Sequence, residues 1–236
     1  MKKIAVLQSN YIPWKGYFDI IHRVDEFIIY DDVQYTKNDW RNRNRIQTNV
    51  GPKWITVPVS ARLDVLIDEV VLKDHSWQKK HHKMLLQSYA KAPFLHHYRE
   101  FLDYIYLEKT WNSLSEMNQY LIKTISNDFL GINTKFTNSR NYCKNGTKLE
   151  RLLSLLKSAN AEYYLSGPAA KSYIDKDAFK LAGIELEWMD YAGYPSYPQL
   201  YSHDACIHGV SILDLLFNVG GDAPWYIWGW RSSPHP

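Results

Sequence analysis

The chain has 236 residues and 45% hydrophobic content, which supports one sizeable core, and its 22% of charged residues excludes general disorder. A formal net charge of +3 does not call for nucleic acid or an anionic membrane as partner. Cys143 and Cys206 are too few for a disulfide framework, and no apolar run is long enough for a signal-peptide core or a spanning helix, so a soluble cytoplasmic protein is expected.

Ile4 to Leu7 reads as a buried strand, broken by Pro13 and Gly16. Phe18, Ile21 and Val24 recur at helical spacing, and Phe27 to Tyr30 is a second strand. Strand, helix and strand within about thirty residues imply a parallel sheet. Ligands of such sheets sit beyond the carboxyl ends of the strands, so Gln8 to Trp14 and Asp31 to Lys37 fall on one rim. Trp54 to Val59 and Glu69 to Leu72 read as further strands, with Pro58 marking an edge. Ser76 to Tyr89 and Arg99 to Leu107 read as helices. A capping box at Ser113 and Glu116 opens another helix, closed by Gly131. Lys135 to Thr137 is a short strand, and Thr147 with Glu150 forms a second capping box, which opens a further helix. Tyr163 to Leu165 and Ile184 to Met189 are strands around a short helix at Asp177 to Ala182, and Ser211 to Phe217 is the final helix.

The alternation makes this an α/β protein with a parallel-sheet core. One domain over residues 1–220 is expected, with a helical lobe over about 76–131 and an aromatic tail over 221–236. The tail carries Trp225, Trp228 and Trp230 and is either packed on the body or part of a subunit contact. With the edge at Val57-Pro58-Val59 it makes a homodimer the expected oligomer, if there is one.

Arg41-Asn42-Arg43-Asn44-Arg45, directly after Trp40, has the chemistry of a polar ligand site. Arg offers planar bidentate donors to phosphate, and interleaved Asn adds shaped hydrogen bonding. Trp40 or Tyr35 would stack on a ring. The plain alternative is a solvated basic loop. Nucleic acid is disfavoured, because no long basic stripe accompanies the aromatics. Asp31-Asp32-Val33-Gln34 ends the second strand; its acids can serve as base, Mg²⁺ ligand, sugar-hydroxyl acceptor or loop cap. Successive side chains on a strand point to opposite faces, so one acid of the pair is expected in the site. His75, His81, His82, His96 and His97 match no usual zinc spacing, and no metal is expected. His81 is either a proton acceptor or a half-buried histidine with a satisfied nitrogen. His203, Asp204 and His208 flank Cys206, but proximity in sequence does not make a catalytic arrangement.

Three runs in order carry a resemblance: Gln8 to Phe18, Asp31 to Lys37, and Trp40 to Ile46. With Trp54 to Val59, Ser166-Gly167 and Ser211 to Asn218 they resemble the WbqC-like family over nearly the whole chain. The strand, Pro13-Trp14-Lys15-Gly16-Tyr17, helix and strand order is also similar to the nucleotidyltransferase group that includes pantothenate synthetase. Its fold is therefore expected, a nucleotidyltransferase-like Rossmannoid. Both histidines of that group's His-x-Gly-His motif are absent, which argues against adenylyl transfer.

The family resemblance implies surface-polysaccharide (O-antigen) biosynthesis and an enzyme that places a glycyl or other acyl group on an amino sugar. On that reading the partner is a nucleotide-linked amino sugar. Arg43 and Arg45 would hold its diphosphate, supported by Asn42 and Asn44. Gln8, Tyr11, Trp14, Gln34 and Trp40 would contact sugar or base. Asp32 or His81 would take the proton of the attacking amine. Lys37, or the backbone at Ser166 and Gly167, would stabilise the oxyanion. The donor would be a coenzyme A thioester or an ATP-activated acid. The alternative is a non-catalytic sugar-nucleotide or glycan binder.

Overall fold

A computed structural model describes residues 1–59, 64–172, 174–201 and 205–233. Its core is a parallel five-stranded sheet. Strand β1 (Lys3–Leu7) is central, α1 (Lys15–His22) crosses to β2 (Glu26–Ile29), and β5 (Lys135–Asn138) flanks β2. On the other side of β1 lie β6 (Tyr163–Ser166) and β7 (Glu185–Trp188), giving the order β5-β2-β1-β6-β7. Ile4, Ala5, Phe27, Ile28 and Ile29 are fully buried, as strands covered on both faces require. The structure shows the α/β fold with a parallel-sheet core.

Between β2 and β5 stand α2 (Ser76–Ser88), α3 (Arg99–Asp103) and α4 (Leu114–Thr124). The latter two each continue into a π turn, at Tyr104–Glu108 and Ile125–Phe129. Ser113 Oγ accepts from the Glu116 amide to cap α4, and Gly131 takes φ +63° beyond its end. Helix α5 (Lys148–Ser158) carries the capping box of Thr147 and Glu150, and α6 (Lys176–Leu181) precedes β7. Helix α7 (Ile212–Val219) is buried throughout. It is followed by α8 (Ala223–Ile227), whose Ala223 and Ile227 join the main core. In the tail, Trp228 stacks on His22 of α1 at 3.9 Å, and Arg231 pairs with Asp19 at 2.9 Å. The tail therefore packs on the body.

Two segments differ from the sequence reading. Glu69 to Leu72 forms no sheet strand: Ile67–Glu69 is a 3-10 turn, closed by the Leu66 amide donating to Glu69. Val70 and Leu72 spend their backbone groups on Leu114 and Asn112, which ties this segment to the lobe. Conversely, β3 (Arg43–Thr48) is a strand that no apolar run announces. It pairs antiparallel with β4 (Gly51–Thr56), Arg45 opposite Trp54, and the pairing stops before Pro58. The polar run alternates with period two. Asn42, Asn44 and Ile46 are buried, while Arg41, Arg43 and Arg45 lie on the less buried side.

Candidate functional site

That alternation divides the five-residue fork into two jobs. The asparagines serve the fold. Asn42 Nδ2 donates to the Val57 carbonyl at 2.8 Å. Asn44 Nδ2 donates to the carbonyls of Tyr11 and Ile12 at 3.1 and 2.7 Å, and its Oδ1 accepts from the Arg45 amide. Asn44 thereby pins the loop after β1 where Ile12, a β-branched residue, takes φ +37°. The arginines face the other way. Arg43 and Arg45 lie 4.4 and 5.6 Å from the centroid of the Trp54 ring, and Trp54 pairs with Trp40 at 5.3 Å. Arg43 also donates to the Asn38 carbonyl. Arg41 turns to the loop after β1, donating to Asn10 Oδ1 and, at 3.1 Å, to Gln8 Oε1.

Beside this ledge is a cleft of about 300 Å³, lined by Asn10, Pro13, Trp14, Trp40, Arg45 and Gly209, with Asn44 beneath. Among the described residues, no side chain or carbonyl accepts a hydrogen bond from the Arg45 guanidinium, and no carboxylate pairs with it. A guanidinium so placed has the donor chemistry that pairs with a phosphate or carboxylate. Gly209 matters to its position: a Cβ there would stand 2.7 Å from Arg45 Nη2. Trp14 is held in the wall by edge contacts with Tyr191 and Tyr194 at 5.1 and 6.1 Å.

The other expected site residues are placed differently. Tyr11 is fully buried. Its hydroxyl lies 2.8 Å from His81 Nδ1 and 2.6 Å from the Tyr106 hydroxyl, and the His81 ring also bonds the Thr56 backbone. Burial pulls the His81 pKa down to about 4, so the ring is neutral with both nitrogens engaged. Asp31 and Asp32 do point opposite ways, but each into the protein. Asp31 accepts from the Ser9 amide at 2.8 Å and from Ser115 of α4. Asp32 accepts from Ser139, from Lys144 at 2.8 Å and from Arg151 of α5 at 2.9 Å. Burial alone would raise its carboxyl; the bonds from Lys144 and Ser139 outweigh that and hold it below the usual carboxylate range. None of these partners lines the cleft. Gln34 is exposed and bridges Leu66, and Lys37 is exposed on a turn. Ser166 and Gly167 end β6, where Gly167 faces the Tyr191 hydroxyl. His203 and Asp204 lie outside the described residues. Among the described residues there is no cluster of three His, Cys, Asp or Glu able to hold a metal, and no helix is long and apolar enough to cross a membrane.

Two further residues near the cleft have no role in the sequence reading, where His208 is weighed only as a neighbour of Cys206. His208 is half-buried, with Nδ1 3.8 Å from Cys206 Sγ; burial, then the neighbouring Lys15, pull its pKa below the ordinary value. Lys15 is only 2% exposed, and its ammonium has no hydrogen-bond acceptor among the described residues. It lies over the rings of Tyr194 and Tyr197 at 4.7 and 5.2 Å. Their hydroxyls donate to the buried Asp19 and Asp214 at 2.6 and 2.7 Å. The sequence clue to Lys15 was its place inside the apolar start of α1, where a charge is costly.

Burial pulls Lys15 from 10.5 down to about 8, against the upward pull of Cys206, Asp19 and Asp214. The unfolded chain therefore binds this proton more tightly than the folded one. The penalty is present in full below pH 8 and is relieved as pH rises from about 8 to 10.5. Lys15→Met should raise stability at pH 7 by roughly 1–3 kcal/mol. The gain should shrink by pH 10. Urea unfolding of both proteins at the two pH values checks this; a variant less stable at both would make Lys15 a needed counter-ion for Asp19 and Asp214.

The class these observations define is an α/β protein with a five-stranded parallel sheet, carrying the Arg45 cleft beside the loop after β1. The sequence profile of the WbqC-like protein family matches residues 8–225, and the chain belongs to that family. An uncharacterized protein of Mycobacterium tuberculosis, Rv1507c, is 48% identical over 229 residues, covering 96% of this chain and 98% of the relative. No solved structure matches the chain significantly.

Proposed function

We propose that the chain binds a nucleotide-linked amino sugar in the Arg45 cleft and forms an amide on its amine. The setting is the polysaccharide biosynthesis with which the family is generally associated. The observation that carries this reading is the Arg45 guanidinium, which among the described residues meets no protein acceptor between the Trp14 and Trp40 walls. It supplies paired N–H donors for a diphosphate, and the indoles supply faces for a sugar or base. In the reaction the amine nitrogen attacks the donor carbonyl, a C–N bond forms and the donor's C–S or C–O bond breaks. His208, adjacent to the cleft-lining Gly209 and neutral near pH 7, takes the ammonium proton in place of Asp32 or His81.

A specific observation favours the non-catalytic binder as second reading: both acids and the histidine first expected as bases are engaged inside the fold. The two readings share the cleft and differ in whether His208 matters.

Arg45→Met keeps an apolar stem against Trp54 and removes the charged fork. Calorimetry with a nucleotide-linked amino sugar should show affinity falling about 10- to 100-fold, the worth of a charged hydrogen-bonding group. Unchanged affinity would place the anion away from this cleft.

A further inference from the structure

A second cavity lies on the same rim, over the α5 face of the sheet. The sheet order makes β1 and β6 the point where the chain's connections diverge to opposite sides. Ligands of open α/β sheets occupy the crevice at such a point. The two strands also part there. They are paired only at Lys3–Tyr163 and Ile4–Tyr164, whereas β1 with β2 and β6 with β7 each hold four pairs. The opening holds about 540 Å³, larger than the Arg45 cleft and within the usual size of small-molecule sites.

Its walls are chemically divided. Val6 and Leu152 are apolar, and Tyr30 and Tyr164 present aromatic rings. Phe179 stacks on Tyr164 at 5.4 Å, and the Arg151 guanidinium sits 5.8 Å from the Tyr30 centroid, so both rings are held. Polar groups stand at the mouth: the Gln8 side chain and Lys148, an exposed lysine at φ +47° in the first turn of α5. A planar ring between apolar and aromatic walls, with a cation at the opening, suits a nucleotide: base inside, phosphates outward.

The two cavities are joined by one short chain of contacts. Gln8 lines the second, Asn10 lines the first, and Arg41 donates to both side chains. We propose that this second cavity binds the nucleotide portion of the acyl donor, with the activated acyl group directed over Gln8 and Asn10 toward the Arg45 cleft. The assignment rests on the amide-forming reading above for the donor's role. The shared chemistry is a nucleotide, supplied either by ATP or by coenzyme A.

Calorimetry with ATP and with coenzyme A, on wild type, Leu152→Trp, Lys148→Glu and Arg45→Met, tests it. At least one nucleotide should bind wild type. Leu152→Trp should fill the cavity and weaken that binding tenfold or more, and Lys148→Glu should weaken it several-fold. Arg45→Met should leave it within threefold. Binding of ATP alone identifies an ATP-activated acid, and of coenzyme A alone a thioester; binding of both reflects the common nucleotide. Lys148 is exposed, so its variant reports even if Leu152→Trp fails to fold. Absence of binding by either nucleotide overturns the assignment, as does binding lost in Arg45→Met but kept in Leu152→Trp and Lys148→Glu. Failure of the amino-sugar reading is separate, since it shows as loss of sugar-nucleotide binding to wild type.

Discussion

His208→Asn should lower the turnover of amide formation by about 10²- to 10⁴-fold, the usual contribution of a general base. Affinity for the nucleotide-linked amino sugar should stay within threefold, because His208 adjoins the cleft wall and does not supply the anion's donors. The pH profile carries the sign. Burial and Lys15 lower the His208 pKa, so the base is available across neutral pH, and kcat/KM should fall on an acid limb below pH 6.5. Asp32→Asn and His81→Asn should act on stability. Asp32 loses two cationic partners' attraction, and its stabilisation is present above the ordinary carboxylate pKa and lost as pH falls through the lowered one. Single-turnover kinetics on the three variants separates the readings. Full turnover in His208→Asn points to another base, and absence of turnover in the wild type to the non-catalytic binder.

Asp214→Asn should destabilise the fold by roughly 3 kcal/mol or more. Asp214 is a buried hub at the first turn of α7. Its carboxylate accepts from Tyr89 at 2.8 Å, Tyr197 at 2.7 Å and Gln199 at 2.7 Å. Tyr89 in turn accepts from the Gln47 amide of β3, and Gln199 brackets the Ile207 backbone. One side chain thus fixes α7, the end of α2, the Arg45 strand and the segment leading to His208. An amide has one acceptor oxygen, so its NH₂ would meet a hydroxyl that has to donate. Burial raises the Asp214 carboxyl. Ionising it therefore costs stability: that cost is absent below the ordinary carboxylate pKa and appears as pH rises through the raised one, partly offset by the bonds from Tyr197, Gln199 and Tyr89. The urea midpoint of the variant should fall with its slope unchanged; an unmoved midpoint would show that the hub carries little of the stability.

The sheet was legible because its strands announce themselves by apolar runs, Ile4 to Leu7 and Phe27 to Ile29, and its helices by caps at Ser113 and Thr147. Strand β3 was not, because its buried face carries Asn42 and Asn44, polar residues whose bonding partners, the carbonyls of Val57, Tyr11 and Ile12, are fixed only by the fold. For the same reason the fork looked like one ligand-binding unit, while the structure assigns its amides to the scaffold and leaves Arg45 to the cleft. Asp31 and Asp32 looked catalytic because they end a strand at the rim. Their partners Ser115, Ser139, Lys144 and Arg151 come from elements far along the chain, which spacing alone cannot bring together. Lys15 and His208 stand near opposite ends of the sequence, yet Lys15 lowers the His208 pKa; the packing of α7 against the loop after β1 brings their segments together, through the Ile212 amide on the Pro13 carbonyl.

The most direct measurement is the melting temperature of the wild-type chain against nucleotide-linked amino sugars, free nucleotides, coenzyme A thioesters and short single-stranded RNA. A ligand that binds only the folded state raises that temperature in proportion to its occupancy. The Arg45 cleft predicts a rise with at least one nucleotide-linked amino sugar that persists at moderate salt. A rise with RNA alone, collapsing as salt increases, or no rise with any sugar nucleotide would contradict it.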